Sequence, residues 1–405
     1  MMQLSKDSTA LPYLHLIRNS LMNIDPLEEA KKVDEYVIQL RRYFHRHPES
    51  STKEFKTTLK IRKELDLLSI PYEEVSDNAT IGLIKGSCPG PVVSLRADID
   101  ALEIKENTAL SFESEIEGLM HACGHDLHTA SLLGAAKILK EHENELKGTV
   151  KLIFQPAEEI GRGAAVMLAN DRLSDTDVFF GLHNTPDLDV GDISLSPGCV
   201  SAGANSLKIC LKGKSGHAAH PDKTIDTIAA GVAIVENLQH FVSRELDPTV
   251  PAVISVCKFN AGTRENIIAE QAEISGTVRV ADDETRDQIR EAVYRIVNHT
   301  AAAHRVEVNV HCEYETPIVY NDDTLYPIVV KAAKNLKGAK IVPEPLSMGT
   351  EDFGDYSTVA PGFYARVGVG KGSPLHSNTY NPDEDSLKYL TALYISFTTT
   401  YQGLL

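Results

Sequence analysis

Two short apolar runs, Val92-Val93-Ser94-Leu95-Arg96 and Val150-Lys151-Leu152-Ile153-Phe154, flank a helical pattern over 128–140 in which Leu132, Leu133, Ala136, Ile138 and Leu139 recur. Strand, helix, strand at this spacing predicts a parallel or mostly parallel sheet with helices on its faces. The fold class expected is therefore α/β, an architecture that takes its ligands at the carboxyl ends of the strands. Asp98 and Asp100 follow the first run, and Glu158 and Glu159 follow the second, so all four stand at such ends.

Between the runs lies Met120-His121-Ala122-Cys123-Gly124-His125-Asp126-Leu127-His128, with three histidines, a cysteine and an aspartate inside residues 121–128. A core gains nothing from that polarity, whereas thiolate, imidazole and carboxylate are the side chains that bind divalent transition ions. Cys123 and His125, two apart on a Gly-containing loop, are able to address one ion. His121, Asp126 and His128 are candidates for orienting a ligand imidazole. Glu158 and Glu159 are neighbours in an irregular segment and point in different directions. One is then free to bind metal while the other serves as general base towards the substrate. Asp98 and Asp100 alternate onto one side of an extended chain, where one would hydrogen-bond a ligand histidine. Each pattern also has a plainer reading: a buried Cys beside a surface His, an acidic pair at a helix start, an N-cap. His183, after the apolar Phe179-Phe180-Gly181-Leu182, and His376, in Gly372-Ser373-Pro374-Leu375-His376-Ser377, each read alone as satisfied structural histidines. Glu351-Asp352 reads as an acidic pair at a helix start.

The texture changes near Ser196-Pro197-Gly198. Strands are expected at 206–212, 252–260, 272–280 and 306–312, with helices at about 224–244 and 283–302. That is an α+β module of the β-α-β-β-α-β kind. After Pro317 the α/β texture returns, so one domain is inserted into another. The division expected is an N-terminal extension over 1–28, a catalytic domain of 29–197 and 313–405, and an inserted domain of 198–312. His217, in Lys214-Ser215-Gly216-His217-Ala218, sits on the insert with small neighbours that leave its ring accessible. Asn266 and Arg279 on the same module are candidate anion binders.

The length of 405 residues supports two cores. A formal charge of -17 argues against a nucleic acid or an anionic membrane as partner. The six cysteines form no Cys-x-x-Cys pair, which points to a reducing cytoplasm rather than a disulfide framework. His15 and Arg18 interrupt the apolar residues near the N-terminus, so no signal peptide is expected. No stretch approaches the roughly 20 apolar residues of a membrane helix.

Residues 30–395 resemble the aminoacylase, hippurate hydrolase and auxin-conjugate amidohydrolase branch of the co-catalytic metallopeptidases, relatives of aminoacylase-1 and glutamate carboxypeptidase. The resemblance rests on Arg42-Tyr43-Phe44-His45-Arg46-His47-Pro48-Glu49, Arg96-Ala97-Asp98-Ile99-Asp100-Ala101-Leu102, Met120 to Thr129, Phe154-Gln155-Pro156-Ala157-Glu158-Glu159, Ser215-Gly216-His217-Ala218, Met348-Gly349-Thr350-Glu351-Asp352-Phe353 and Leu375-His376-Ser377, in that order. It implies two divalent metal ions per subunit held by Cys123, His125, Glu159, His183 and His376. Glu158 is implied as general base and Asp100 as the carboxylate that orients the site. His217 is implied to reach a neighbouring subunit's site in a homodimer and steady the oxyanion, and Asn266 and Arg279 to receive the substrate's α-carboxylate. Zn suits the thiolate and imidazoles, and such a mixed site also accepts Mn, Co or Ni. The activity implied is hydrolysis of N-acyl amino acids, with a dipeptidase or carboxypeptidase using the same site as the alternative. Glu103 stands where the family has Pro after Asp-Ala-Leu, which touches the loop beside the site and no ligand position.

Overall fold

A computed structural model describes residues 24–404 of the chain. Its largest sheet has eight strands, in the order Tyr72–Ser76, Ala79–Lys85, Lys147–Gln155, Cys88–Asp98, Val178–Thr185, Gly362–Gly368, Asp192–Ser194 and Lys340–Val342. The ladders at its centre, from Lys147–Gln155 across to Gly362–Gly368, are parallel. The two runs expected as strands are adjacent in it. The hairpin Tyr72–Ser76 with Ala79–Lys85 extends one edge in antiparallel fashion. Sequence reading missed this hairpin, because its outer strand lies at the edge and carries no apolar run of its own.

Alternation along the strands decides what covers each face. Leu152, Phe154, Phe180, Leu182, Phe363 and Ala365 belong to the main core, beneath the helices Asp34–Arg46, His125–Glu141, Tyr326–Lys334 and Leu387–Leu404. Their strand neighbours Ile153, Phe179 and Tyr364 face the other way, into a smaller cluster with Met167 and Phe353. Helices thus lie on both faces as expected, but unequally. Among the described residues the second face is covered by the short helix Gly163–Leu168 and the 3-10 turn Asp352–Thr358. The helix His125–Glu141 is buried along most of its length. It approaches the helix Asp34–Arg46 so closely that a Cβ at Gly134 would stand 2.5 Å from Val37 Cγ2.

Ahead of the sheet the chain forms three helices, Pro26–Lys32, Asp34–Arg46 and Phe55–Leu67. The first begins inside the stretch assigned to an N-terminal extension over 1–28. Asp25 caps it by accepting from Leu27 N and Glu28 N, and Pro26 occupies its first turn. Leu27 and Ala30 carry it into the main core. The rest of that extension lies outside the described residues.

The strands Gly203–Lys212, Ala252–Ala261, Gln271–Val280 and Glu307–Thr316 form a separate antiparallel sheet, in which Gln271–Val280 and Gly203–Lys212 are central. The helices Thr227–Arg244 and Asp283–His304 share a core with it through Ile234, Leu238, Val293 and Val297. The β-α-β-β-α-β order is the one expected. The last strand runs on to Thr316, past the 312 assigned from sequence, since Tyr314 and Thr316 still pair with Asn205 and Ala204. A two-stranded ribbon of Gly198–Ser201 with Val319–Asn321 links this module to the rest.

Phe180 is fully buried and stacks on Phe397 at 4.2 Å between ring centroids. Phe180→Ala is expected to cost about 3–5 kcal/mol, from lost burial plus the cavity left behind. A lowered urea midpoint for the unfolding of the large-sheet core measures it.

Candidate metal centre

Neighbouring parallel strands end on the same side, and their carboxyl-terminal loops supply the site. Cys88–Asp98 ends at Asp98, with Asp100 two residues on. Lys147–Gln155 leads through Pro156 to Ala157, whose φ of 55° turns the chain sharply into Glu158–Ile160. Val178–Thr185 carries His183. His125 is the first residue of its helix and follows Gly124 at φ 86°. Only glycine suits that turn, because a Cβ there would fall 2.3 Å from Asn184 Nδ2 in addition to the positive φ. His376, at φ 62°, comes from the far end of the chain and is held by its N–H donating to Ala122 O at 2.8 Å.

Six of the candidate residues converge. Cys123 Sγ lies 3.4 Å from His183 Nε2. His125 Nε2 lies 3.8 Å from Glu159 Oε1 and 3.9 Å from Glu158 Oε2. His376 Nε2 lies 3.5 Å from Glu159 Oε2. Asp100 stands behind them, its Oδ1 3.2 Å from His125 Nδ1, so the other ring nitrogen of His125 turns towards Cys123 and the glutamates. Asp100 Oδ2 also accepts from Glu159 N at 3.1 Å. His183 Nδ1 donates to Asn184 O at 2.6 Å, leaving Nε2 for the cluster.

His217, Asn266 and Arg279 are not part of this gathering. His217 and Asn266 are exposed, and the two-residue strand Gly216–His217 pairs with Ile267–Ile268. Among the described residues none of the three hydrogen-bonds or ion-pairs with a member of the cluster. Burial holds the Arg279 guanidinium below its ordinary value. Glu103 is exposed, while its neighbour Leu102 exchanges both backbone hydrogen bonds with Met120 and ties the Asp100 loop to the Cys123 loop.

More side chains brace these residues than the sequence suggested. His128 points away from the glutamates, with Nδ1 2.6 Å from Asp98 Oδ1 and Nε2 accepting from Asn184 N at 3.0 Å. Asp126 pairs instead with Arg41 Nε at 3.0 Å and His45 Nδ1 at 2.9 Å, while His45 Nε2 meets Glu106 at 3.0 Å. His121 is buried, and burial pushes its imidazole down to about 4. Glu351 and Asp352, read from sequence as a helix-start pair, are buried around Arg96, which also holds Asp98. Arg96 inside an apolar strand was the one signal of this network, since a buried guanidinium requires carboxylates.

The charges explain the direction of each shift. Burial pushes the Glu158 carboxyl well above its ordinary value, and the nearby Glu351 and Asp352 push it further. Burial likewise raises Glu159, against the pull of His125 and His376. The Cys123 thiol is raised by burial and by Glu159. Burial alone would raise Asp98, but His125, His128 and Arg96 together hold it well below the usual carboxylate range. Burial and His128 drive His183 down, so its ring is neutral and free to donate a lone pair. His125 Nε2 and Glu159 Oε1 are buried without a hydrogen-bond partner, a costly state in an apolar interior. Donor atoms of Cys123, His125 and His183, of Cys123, Glu159 and His376, and of His125, Glu158 and Glu159 lie within 4.8 Å of one another in each set. A thiolate, imidazoles and carboxylates around a common space, two of them unpartnered, fit divalent cations.

The sequence profile described as peptidase family M20/M25/M40 matches residues 94–400. The chain is 42% identical over 353 residues to an N-acetylcysteine deacetylase of Bacillus subtilis (strain 168), covering 87% of this chain and 93% of the relative. It is 37% identical over 386 residues to the IAA-amino acid hydrolase ILR1-like 4 of Arabidopsis thaliana, covering 92% and 87%. Among solved structures, a dinuclear metal binding peptidase from the M20 family of Bacillus subtilis superposes with a TM-score of 0.84 at 37% identity, over 93% of this chain and all of that one.

If Asp100 orients His125, Asp100→Asn keeps the shape but weakens the acceptor facing His125 Nδ1. Affinity for a divalent ion is expected to fall by about 10–100-fold. Competition with a chromophoric chelator reads the change directly, without reference to turnover.

Proposed function

The chain belongs to peptidase family M20/M25/M40, and on that premise we propose that it is a metal-dependent amidohydrolase that cleaves N-acyl amino acids to a carboxylic acid and a free amino acid. The observation that carries this reading is the meeting of Cys123, His125, Glu159, His183 and His376 with a spare carboxylate, Glu158, beside them. The named activities of the two relatives favour an acyl group on the amino-acid nitrogen over a dipeptide.

We assign metal binding to Cys123, His125, Glu159, His183 and His376, with zinc or manganese as the ions. Bound divalent cations would supply Lewis acidity and lower the pKa of a coordinated water towards neutrality. Beside them Glu158 would be held in the ionised form that a base needs. Glu158 takes a proton from the attacking water as the water oxygen bonds to the acyl carbon. When the carbon–nitrogen bond breaks, Glu158 returns that proton to the departing amine. Asp100 keeps His125 in the tautomer that offers Nε2.

His217, Asn266 and Arg279 fit a second role in this reading. We assign His217 to the oxyanion of a second copy's site, with Asn266 and Arg279 receiving the substrate carboxylate. The inserted domain, 198–312 in the division above, then acts as lid and dimerisation surface. Its edge strand Ala252–Ala261 is paired on one side only, and Ile228 and Val232 expose apolar side chains on one face of the helix Thr227–Arg244. Both features suit a homodimer. Among the described residues no helix is long and apolar enough to cross a membrane. All six cysteines are free, which agrees with a cytoplasmic location.

Release of free amino acid from N-acetyl and N-benzoyl amino acids, set beside dipeptides, tests the reading. Activity on the N-acyl compounds should be abolished by thorough chelation and restored by added zinc or manganese. Glu158→Gln should bind metal yet lose about 10²–10⁴-fold in kcat, and near-normal turnover by that variant would remove Glu158 from its role. Mixing inactive His217→Ala with inactive Glu158→Gln protein should restore partial activity, because a mixed dimer holds one intact site. Unchanged inactivity after verified subunit exchange would confine His217 to its own subunit.

A further inference from the structure

The segment Glu49–Glu54 continues a sequence motif that the mechanism above leaves without a task. It crosses the ends of the two neighbouring strands that carry the carboxylates of the site. Ala101 N donates to Glu49 O at 2.9 Å. Ser51 Oγ donates to Asp100 Oδ2 at 2.7 Å. Glu54 is completely buried and uses both oxygens. Oε1 accepts from Thr52 N at 2.9 Å and from Ala157 N at 2.8 Å, and Oε2 accepts from Asn78 Nδ2 at 2.8 Å.

Ala157 is the residue whose positive φ directs the chain into Glu158 and Glu159. A non-glycine residue holds that conformation at a cost of roughly 1–2 kcal/mol and needs outside support to keep it. The support is the Ala157 N–H donating to the buried carboxyl of Glu54, which burial raises above its ordinary value and which has no cationic partner among the described residues. From these contacts we propose that Glu54 is a positioning residue for the general base: its carboxylate clamps the Ala157 turn and so aims Glu158, while Ser51 on the same strap steadies Asp100. The proposal rests on Glu158 being the base, and its geometry is independent of which ions bind.

The test uses metal-loaded enzyme and an N-acetyl amino acid. Glu54→Gln keeps the shape but removes the charge and puts an amide donor among N–H groups that need acceptors. It should lower kcat by about 10–100-fold, leave KM within about threefold and leave the bound metal per subunit unchanged. Asn78→Asp, at a half-buried position, sets a like charge against Glu54 and should give a smaller drop of the same kind should Glu54→Gln fail to fold. The decisive reading is a double-mutant cycle. In a Glu158→Gln background neither change should reduce the residual rate further, because the group being aimed is gone. A Glu54→Gln kcat equal to wild type, or an equal fractional loss with and without Glu158, would overturn the clamp while leaving the base assignment in place. A near-normal Glu158→Gln enzyme would instead overturn the base assignment and the clamp with it.

Discussion

Arg96 is buried at the centre of the sheet with Asp98, Glu351 and Asp352 around its guanidinium, at 2.7, 2.9 and 3.0 Å. A charge so placed is tolerated only when its donors find acceptors and carboxylates balance it. That requirement brings Glu351 and Asp352 to the end of the strand Cys88–Asp98. Asp98, held ionised there, is then available to His128, and His128 accepts from the backbone of Asn184 beside His183. Gln155 joins from the neighbouring strand by bonding Arg96 Nε and Asp352. The floor of the site is a charge network that lies beneath the loops carrying the metal-site side chains.

Among the described residues the carboxylates above that floor have no arginine or lysine partner, only histidines. Glu158 and Glu159 lie against His125 and His376, and burial raises both. The guanidinium thus serves Asp98, Glu351 and Asp352. His125, His128 and Arg96 hold Asp98 down while Glu351 and Asp352 push Glu158 up, so the two shifts run in opposite directions although both groups are buried.

Much of this was legible in the chain. The apolar runs and the helical pattern between them predicted adjacent parallel strands, and the elements of the insert appeared in their proper order. The run from His121 to His128 announced a metal site because no packing argument accounts for it. The roles inside that run were not legible. His125 faces the glutamates, His128 faces Asp98, and Asp126 turns to Arg41, although the three lie within four residues of one another on a single helix. Which way each points depends on where the helix meets the sheet, and sequence spacing does not carry that. The edge hairpin at 72–85 was missed because its outer strand, half-exposed, needs no apolar pattern.

What the sequence determined by itself was therefore chemistry and class: the ligand types, their order along the chain and an α/β fold interrupted by an α+β insert. These follow from local composition and period, which survive without knowledge of neighbours. The tertiary structure alone decided that Glu351 and Asp352, at a helix start as read, are also buried partners of Arg96. It also decided that Glu54, from a segment with no metal-binding signature, holds the turn before Glu158. Those assignments join residues 103 to 256 positions apart, and only the completed sheet, with its strand ends side by side, brings them within hydrogen-bonding distance.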